Sequence, residues 1–425
     1  MMNTSRRTIY SLVLSLVCLF GSALAAGAGE LPRGLMIVAP ERLLASLSDF
    51  VTYKQSLLPT SVHSLEKILA ENTGADDPEK LKQCIYRKWK EEHIGYVLLV
   101  GDVDVLPVRY MVLDRVTPAA FNYAFYPSDL YYSDLAKADG SFDDWNGRHD
   151  DFHARYYGEV HGEANKEDRI NFDNVDYLPD IAVGRWPVSN EDDVRAIASK
   201  TMAYEKLVIA GTAPHLRRAG LLGVEGWVDT NDFLAKLETH LGQGWAVEKH
   251  WFSVKSTDDK RAASRRNREK VAELFNRGMG LVVHTGHGQP DQWEQCFSTV
   301  DLEKLTNEGA TPIVVSAGCS TAHFAPLPPY EPYVDVDGRE HAGSDKGEKF
   351  TEPPPSANPY QKGRFNPTCL GEQILRRPAS GAIAYIGCNT GSQPFALGLV
   401  EGFVKELGLE SAPRLGDCWS GAIRH

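Results

Sequence analysis

Cysteine is scarce in this sequence, which contains seven in 425 residues, and no two of them form a Cys-x-x-Cys pair. Disulfide-stabilised secreted domains use cysteine far more densely, and zinc ribbons and thioredoxin-type redox sites need closely spaced pairs. The sequence therefore excludes all three classes. One or two disulfides stay open, since the spacing does not indicate which cysteines would pair.

The sequence also contains fewer positively charged than negatively charged residues. Lysine and arginine number 45 against 57 aspartate and glutamate residues, so the formal net charge is -12. A protein that mainly binds nucleic acid needs clustered positive charge to neutralise phosphates. The one basic cluster, at residues 260–268, has the spacing of a solvent-exposed helix face. We therefore expect no nucleic-acid partner.

No apolar run long enough to cross a bilayer follows the first 25 residues. Arg6 and Arg7 precede an apolar stretch over residues 9–23, and Ala23 and Ala25 have the small-x-small pattern of a signal-peptidase site. This order is typical of a secretory signal peptide at residues 1–25, with cleavage after Ala25. We expect a secreted or periplasmic protein without stable membrane insertion, and a retained anchor is the alternative.

Short apolar runs alternate with amphipathic helical segments along most of the chain. Strands without a polar face, joined by helices, are typical of parallel sheets that helices cover on both faces. The alternation breaks at residues 121–178, a predicted acidic loop, and at residues 323–367, a predicted proline-rich loop or lid. We therefore predict an α/β fold of two lobes with mainly parallel sheets, residues 31–211 and 212–425. The predicted strands are residues 35–39, 96–100, 181–183, 218–224, 280–284, 312–316 and 381–386. The predicted helices are residues 41–58, 78–91, 190–208, 229–241, 262–278, 301–307, 370–376 and 395–407.

Two neighbouring predicted strands of the second lobe end in chemically reactive residues. His287 and Gly288 follow one strand, and Cys319 follows the next after a single strand–helix–strand crossover. Carboxyl ends of parallel strands meet at one edge of a sheet, so we expect these residues to lie close together. A neighbouring imidazole helps to generate and use a cysteine thiolate, and the N–H groups of Gly288 and Cys319 are placed to stabilise an oxyanion. The simpler alternative is a buried structural cysteine and a hydrogen-bonded loop histidine.

The ordered series of motifs resembles the gingipain family of caspase-like cysteine peptidases. In caspase-like peptidases, a Gly-rich His-Gly follows one apolar strand, and a small residue followed by Cys comes after the next. The closer likeness to gingipains covers most of residues 33–407. It is carried by residues 35–39, 50–54, 96–102, 106–109, 128–132, 181–185 and 369–372. The resemblance implies that the second lobe is caspase-like.

The resemblance also implies roles for individual residues. His287 matches the catalytic histidine of the family, Cys319 the nucleophile, and Asp180 the acidic residue that orients the imidazole. Trp293 matches an aromatic residue near the site. Asp193 is a candidate to line a pocket for a basic side chain, as an acid does in arginine-cleaving relatives. Both are candidates for the substrate pocket. Asp193 also suits the first turn of a predicted helix, which accounts for an acid there without a pocket.

Two local features qualify this assignment. His284 precedes His287 by three residues and falls within its strand or at the strand end, so we expect it to be structural. The stretch before Cys319 also differs from the Gln-Ala-Cys of caspases.

The acidic loop at residues 121–178 holds a second candidate site. Its carboxylates are ligands of the kind that Ca²⁺ prefers, and the resemblance implies an Asp/Gly-rich loop here whose relatives can bind calcium. A structural calcium ion is therefore a hypothesis, and a plain acidic surface loop is its alternative. The candidate ligands are Asp134, Asp139, Asp143 and Asp144.

The same loop contains His149 and His153, which have the His-x-x-x-His spacing of zinc peptidases. That motif needs an α-helix to bring both rings to one face, whereas the sequence around it predicts a loop.

Taken together, these features predict a secreted cysteine endopeptidase that acts on proteins or peptides and requires no cofactor for catalysis. The first alternative is a non-catalytic member of the family that binds peptides or cell-surface material. The second is a zinc hydrolase built on residues 149–153. The sequence indicates neither the residue preferred before the cleaved bond nor the natural substrate nor the oligomeric state.

Overall fold

The structure is a computed structural model that describes residues 33–112, 124–159, 171–254, 258–361, 369–409 and 414–425. The predicted signal peptide at residues 1–25 lies outside the described residues. From Arg33 onward the chain clusters into one unit. Within the described ranges, no helix combines the length and the apolar character that a bilayer crossing requires.

Parallel strands and the helices between them make up most of the described chain. In chain order the strands are β1 (Gly34–Ala39), β2 (Thr60–Ser64), β3 (Ile94–Val100), β4 (Arg109–Val112), β5 (Phe125–Ser128), β6 (Ala182–Trp186), β7 (Arg218–Val224), β8 (Ala246–Phe252), β9 (Leu281–Thr285), β10 (Gly288–Gln289), β11 (Gln292–Trp293), β12 (Phe297–Ser298), β13 (Ile313–Ser316), β14 (Tyr333–Val334), β15 (Glu340–His341) and β16 (Ala384–Gly387). The helices are α1 (Glu41–Leu44), α2 (Ser48–Gln55), α3 (Leu65–Glu71), α4 (Asp77–Glu92), α5 (Glu191–Ala210), α6 (Asn231–Leu241), α7 (Lys260–Asn276), α8 (Leu370–Arg376), α9 (Leu397–Gly408) and α10 (Leu415–Arg424).

The first sheet is parallel, with the strand order β2-β1-β3-β6. All six residues of its central strand β1 are buried. Met36 and Val38 face a core built with α3 and α4, whereas Leu35 and Ile37 face a core built with α2 and α5. Helices therefore cover both faces, as the uninterrupted apolar run predicts.

The second sheet has the order β16-β13-β9-β7-β8 and is also parallel throughout. Val282 of β9 packs with α7 and α8, and Val283 packs on the other face with α6 and α9. The predicted α/β class with mainly parallel sheets is confirmed. Because neighbouring strands run in the same direction, the carboxyl ends of β7, β9, β13 and β16 lie along one edge of this sheet.

A half-buried arginine and a buried lysine connect α8 to the elements around the first sheet. Arg376 of α8 donates at 2.9 Å to Oδ2 of Asp102, which follows β3 and is fully buried. Lys200 of α5, only 6% exposed, donates from Nζ at 2.7–3.2 Å to three carbonyl oxygens at the end of α8. Such partners are what make buried charges tolerable. The carbonyl groups belong to Leu375, Arg377 and Ser380.

The described part of the proline-rich segment, residues 323–361, is packed rather than a loose loop. The backbone N–H of Phe125 donates to the carbonyl of Pro328 at 3.0 Å, and that of Val108 donates to the carbonyl of Pro359 at 3.2 Å. Apolar side chains of the segment, Tyr333 among them, join a core cluster with the β4–β5 hairpin. Sequence periodicity missed this packing because the segment's apolar residues are spaced irregularly and find their partner in a distant hairpin.

Lys200→Met should lower the free energy of unfolding by about 2–4 kcal/mol, because three buried carbonyl groups at the end of α8 lose their donor. Lys206→Met on the same helix is the matched control, since Lys206 is exposed and surface substitutions usually change stability by less than about 0.5 kcal/mol. Urea unfolding at pH 7 measures both variants. Equal stability of the two would contradict the role given to Lys200.

Candidate active site

The site lies where the central strands of the second sheet end. β9 and β13 pair in parallel with His284 opposite Ser316, and the N–H of Ala317 donates to the carbonyl of His284 at 2.9 Å. The segments that follow these two strands therefore start side by side. One carries His287 and Gly288, and the other carries Cys319, as the strand ends predict.

Gly288 packs directly against the backbone that carries the cysteine. A Cβ on Gly288 would lie 2.7 Å from the carbonyl oxygen of Cys319 and 2.9 Å from the carbonyl carbon of Gly318. Real side chains do not approach backbone atoms so closely, so only glycine fits at this position. This contact brings the histidine loop and the cysteine loop together.

Cys319 lies at a sharp turn and is half-buried. Its Sγ accepts the N–H of Ser392 at 3.2 Å, and the next residue, Ser320, has a φ of +56°. The N–H groups of Ser320 and Ala322 donate to carbonyls of the 388–392 segment at 2.9 and 3.0 Å. The loop after β16 therefore supports the turn and contributes an N–H to the sulfur.

Sequence reasoning missed the 388–392 segment, although its position was implied. It follows β16, the neighbour of β13, so its start had to lie at the same edge of the sheet. Phe395 follows three residues after Ser392 and is 93% exposed. Its ring therefore lies on the surface, a short distance along the chain from the residue whose N–H contacts Sγ.

The imidazole of His287 is oriented by a backbone carbonyl. Its Nε2 lies 3.0 Å from the carbonyl oxygen of Gly226, in the loop after β7. A carbonyl only accepts hydrogen bonds, so this contact assigns the hydrogen to Nε2 and leaves Nδ1 to act as a base. No hydrogen bond joins the imidazole to Cys319 Sγ in the described part of the chain.

Two backbone N–H groups are available where the loops meet. The N–H of Cys319 donates to no acceptor within the described ranges. Gly288 lies opposite Trp293 in the β10–β11 ladder, and the adjoining bond runs from the Glu294 N–H to the His287 carbonyl at 3.0 Å. Because bonded and non-bonded pairs alternate in an antiparallel ladder, the N–H of Gly288 points away from β11. Both groups can therefore donate to a negatively charged oxygen.

His284 lies beneath these loops and is fully buried. Its Nδ1 is 3.0 Å from Ser316 Oγ, and its ring stacks on that of Trp293 with centroids 4.6 Å apart. Burial lowers the pKa of His284 to about 3, so the ring stays neutral. These contacts give His284 the structural place expected from the sequence.

Trp293 does not line a substrate pocket, contrary to the expectation. Its side chain is fully buried in the core between α7 and the second sheet. Its Nε1 donates to the hydroxyl of Tyr385 at 3.1 Å. The short β10–β11 hairpin turns the indole inward onto His284, which accounts for the aromatic residue without a substrate.

Comparison with known proteins assigns the chain to a family. The model of peptidase family C25 matches residues 30–425. The chain belongs to peptidase family C25. This is the gingipain family, so the resemblance seen in the sequence is confirmed, and membership supports a cysteine peptidase.

The curated relatives of this C25 member are distant and much longer. The chain is 20% identical over 303 residues to Gingipain R2 of Porphyromonas gingivalis, covering 68% of this chain and 32% of that protein. The corresponding match to Gingipain R1 of the same species covers 24% of its length, again at 20% identity. An uncharacterized protein of Archaeoglobus fulgidus is 22% identical over 257 residues, covering 54% of this chain and 48% of its own. The chain thus spans about a third or less of the gingipains it matches.

Solved C25 structures share the fold. The crystal structure of gingipain R, described as an Arg specific cysteine proteinase, superposes with a TM-score of 0.59 at 16% identity and covers 92% of this chain and 72% of its own. The complex of the pro- and mature domains of RgpB from Porphyromonas gingivalis gives a TM-score of 0.56 at 16% identity, covering 92% and 73%. The predicted caspase-like α/β fold is confirmed, and at this identity the likeness concerns the fold alone.

Asp180 is not positioned to orient the imidazole of this C25 member. Its Oδ2 accepts the backbone N–H groups of Leu135 and Ala136 at 2.8 and 3.0 Å, and its own N–H donates to the carbonyl of Ser133. No hydrogen bond connects it to His287 in the described residues. Asp180 precedes the amino end of β6 in the first sheet, where it stabilises a turn, and Gly226 holds the histidine instead.

Asp193 lies in the first turn of α5, as the sequence predicts. The side chain of Asn190 accepts the N–H of Asp193 at 2.9 Å and donates to its Oδ2 at 2.8 Å. The carboxylate therefore stabilises the positive end of the helix. These contacts account for the acid, and they do not show a pocket for a basic side chain.

The four candidate calcium ligands do not form one ligand set. Asp139 accepts from Ser141, and Asp144 Oδ2 contacts His149 Nε2 at 2.7 Å. Asp134 and Asp143 are buried and act electrostatically on the ammonium of Lys82. In the described ranges, no group of three or more His, Cys, Asp or Glu side chains is arranged to hold a metal ion. The donor set therefore does not fit the expected calcium site.

Lys82 explains why acids gather here. Its side chain is fully buried, and its Nζ lies 4.1 Å from the ring centroid of Tyr131 and 5.1 Å from that of Trp145. Burial lowers the pKa of Lys82 and raises that of Asp134. The buried side chain of Lys82 thus lies among the acids to which the sequence led us to assign calcium.

The two histidines of the predicted zinc motif also diverge. His149 contacts Asp144, whereas His153 Nδ1 lies 2.7 Å from Glu159 and its ring stacks on Tyr156. Residues 149–153 form turns rather than the helix the motif needs. The zinc-hydrolase alternative is therefore not supported.

Gly288→Ala should reduce peptide hydrolysis by roughly 100-fold or more, because the new Cβ pushes the cysteine loop away and displaces one N–H donor. Gly244→Ala is the matched control, since a Cβ there meets nothing within 4 Å and the residue precedes the amino end of β8, away from both loops. Initial rates on a peptide library, with thermal unfolding measured in parallel, test both. Unchanged hydrolysis in Gly288→Ala would show that the two loops need not pack this closely.

His284 should make the protein less stable in acid. Below about pH 6.5 the histidine of the unfolded chain binds a proton, whereas the buried ring of the folded protein, with its pKa of about 3, stays neutral. The free energy of unfolding therefore falls as the pH drops. Between pH 7 and pH 4 the wild type should lose about 3 kcal/mol more than His284→Phe. Denaturant unfolding across this range measures the difference, with His250→Phe on edge strand β8 as the control. Parallel pH curves for the wild type and His284→Phe would contradict a neutral, buried His284.

Proposed function

We propose that this chain is a secreted cysteine endopeptidase that cleaves polypeptides through an acyl-enzyme on Cys319. The close packing of Gly288 on the Gly318–Cys319 peptide carries the proposal, because it brings a thiol, an imidazole and two N–H donors to one edge of the sheet. Membership of family C25 agrees with this chemistry. The location rests on the secretory signal read in residues 1–25.

The first step generates the nucleophile. The thiol of Cys319 gives its proton to Nδ1 of His287, while Nε2 keeps its hydrogen on the carbonyl of Gly226. The N–H of Ser392, 3.2 Å from Sγ, stabilises the negative charge on sulfur. A movement of the half-buried imidazole toward the sulfur completes the pair, as catalytic contacts often tighten only when substrate binds.

The thiolate then attacks the carbonyl carbon of the scissile bond. The negative charge moves to the carbonyl oxygen, where the N–H groups of Cys319 and Gly288 donate hydrogen bonds. Collapse of this intermediate breaks the C–N bond, and the His287 imidazolium protonates the departing amine. The product is a thioester on Cys319 and a free amine.

Water completes the turnover. The neutral imidazole takes a proton from water, the hydroxide attacks the thioester, and the acid product leaves as Sγ recovers its negative charge. No metal or cofactor enters these steps.

Substrate contacts are proposed on the surface beside the cysteine. Phe395, with 93% of its surface exposed, offers an apolar platform three residues from Ser392. Gingipain R is described as Arg specific. In this chain the side chain of Asn190 donates to the carboxylate of Asp193, so we do not propose that Asp193 binds a substrate arginine.

Cys319→Ala and His287→Ala should each lower kcat by roughly 10³-fold or more while leaving the fold intact, because each removes a reacting group. Cys388→Ala is the matched control: this thiol is also half-buried and close by, but burial raises its pKa and no step uses it. Hydrolysis of a peptide library and labelling by a thiol-reactive peptide probe measure the effect. Full activity of Cys319→Ala would refute the mechanism, and an intact but unreactive wild-type thiol would favour a non-catalytic binding protein.

A further inference from the structure

A basic groove of about 570 Å³ lies beside the loop that carries His287. One wall is the first part of α7, and the other is formed by the residues that follow the catalytic histidine. The charged side chains that line it are Lys260, Arg261, Arg265, Arg268 and Glu294.

Three of these cations are free to meet a ligand. Lys260, Arg261 and Arg265 are exposed and form no ion pair or hydrogen bond with another side chain of the described residues. Arg268 is partly engaged, with its Nε 3.7 Å from Asp301. Glu294 is the one acid among the lining residues, and its Oε1 accepts from the side chain of Gln289. The groove is thus positive on a protein whose net charge is -12.

The cations lie at the start of α7, which two acids precede. Asp258 and Asp259 come directly before Lys260 and Arg261, and the side chain of the N-cap residue Asp259 accepts the N–H of Ala262 at 2.9 Å. The N-terminal end of a helix carries a partial positive charge, which favours acids there and disfavours bases. The capping carboxylate offsets part of this charge, and the exposed side chains of Lys260, Arg261 and Arg265 supply the positive charge of the groove.

The groove is continuous with the proposed catalytic machinery. The N–H of Glu294 donates to the carbonyl of His287 at 3.0 Å. The side chain of Gln295, which also lines the groove, donates to the carbonyl of Glu225 at 3.5 Å, next to the Gly226 carbonyl that holds the imidazole. A ligand in the groove thus lies on the histidine side of the site.

That side determines which part of a substrate the groove meets. The imidazole must reach the amine that leaves, so the polypeptide attached to this amine extends past His287. The segment that follows the cleaved bond therefore approaches the cations of α7, whose attraction for carboxylates is strong near a protein surface.

We infer that the groove binds an acidic segment on the leaving-group side of the substrate, so that the enzyme prefers aspartate and glutamate after the cleaved bond. This inference rests on the proposed function. Its tests separate charge recognition from catalysis.

The first test measures binding without cleavage. Full-length Cys319→Ala protein is titrated with fluorescein-labelled hexaglutamate, and anisotropy is compared with that of hexaglutamine at 50 mM and 500 mM salt. We expect hexaglutamate to bind at least about 10-fold more tightly at low salt and to lose most of this advantage at high salt. Equal affinity for the two peptides would overturn the inference.

Charge reversal locates the binding. Arg261→Glu with Arg265→Glu should weaken hexaglutamate binding by about 10-fold. Arg266→Glu with Lys270→Glu makes the same change in net charge at exposed positions of the same helix that do not line the groove, and should change binding by less than about twofold. Equal losses in both pairs would overturn the inference in favour of an effect of net charge. Tighter binding of a 12-nucleotide single-stranded DNA than of hexaglutamate would overturn it in favour of a nucleic-acid site.

The second test measures turnover. One peptide that the wild type cleaves is made in versions with Glu, Gln or Lys at the second to fourth positions after the cleaved bond. We expect kcat/KM to be about 5- to 20-fold higher for the Glu version than for the Gln version, and the groove variant to lose this preference while cleaving the Gln version normally. Cleavage without a charge preference would overturn the inference alone. Failure to cleave any peptide would refute the proposed function. The binding test would still show whether the groove binds acidic peptides.

Discussion

The approach of Gly288 to the Gly318–Cys319 peptide is the contact on which the site depends. Parallel pairing of β9 and β13 brings two loops to one edge of the sheet, but only the missing side chain lets their backbones touch. The N–H groups of Gly288 and Cys319 belong to the two loops that this contact brings together. His287 sits beside the cysteine turn because it precedes this glycine, so one packing constraint positions the base and the oxyanion donors together.

Backbone groups, rather than charged side chains, do most of the positioning around this site. The Gly226 carbonyl holds the imidazole, and the Ser392 N–H contacts the sulfur. A carbonyl fixes the tautomer and the ring direction without adding a full negative charge. The acids that resemblance or composition suggested for function are engaged elsewhere: Asp180 stabilises a turn, and Asp134 accepts the indole N–H of Trp145 beside the buried side chain of Lys82. Local hydrogen bonds to backbone N–H groups thus account for Asp180 without a catalytic role.

The support beneath the site is unusually polar for a core. His284 stacks on Trp293 and contacts Ser316, so the floor under the reacting loops is a neutral imidazole held by an aromatic ring and a hydroxyl. On the neighbouring side, α8 follows the proline-rich segment and is held by Lys200 and Arg376. The long connection between Cys319 and α8 does not by itself determine where α8 lies. The described part of this connection packs on the β4–β5 hairpin, and Lys200 and Arg376 hold α8 in place. The cysteine turn keeps its geometry through the strand ends and through the 388–392 segment.

What the sequence determined by itself follows from local physical chemistry. Uninterrupted apolar runs identified β1, β3, β7, β9 and β13, and Asn190 marked the start of α5, since burial on both faces and helix capping leave patterns in neighbouring residues. Parallel pairing then implied that His287, Gly288 and Cys319 would meet. The edge strands β2 and β8 were missed, because one exposed side permits polar residues such as His63 and Glu248 that interrupt the apolar run. Only the tertiary structure decided the partners of Asp180, Trp293 and Lys82 and the roles of Gly226 and Ser392. The position of a residue in the sequence does not specify which distant atoms will surround its side chain. Nearly every residue has the same backbone N–H and carbonyl groups, so the sequence does not indicate which of them will contact the site.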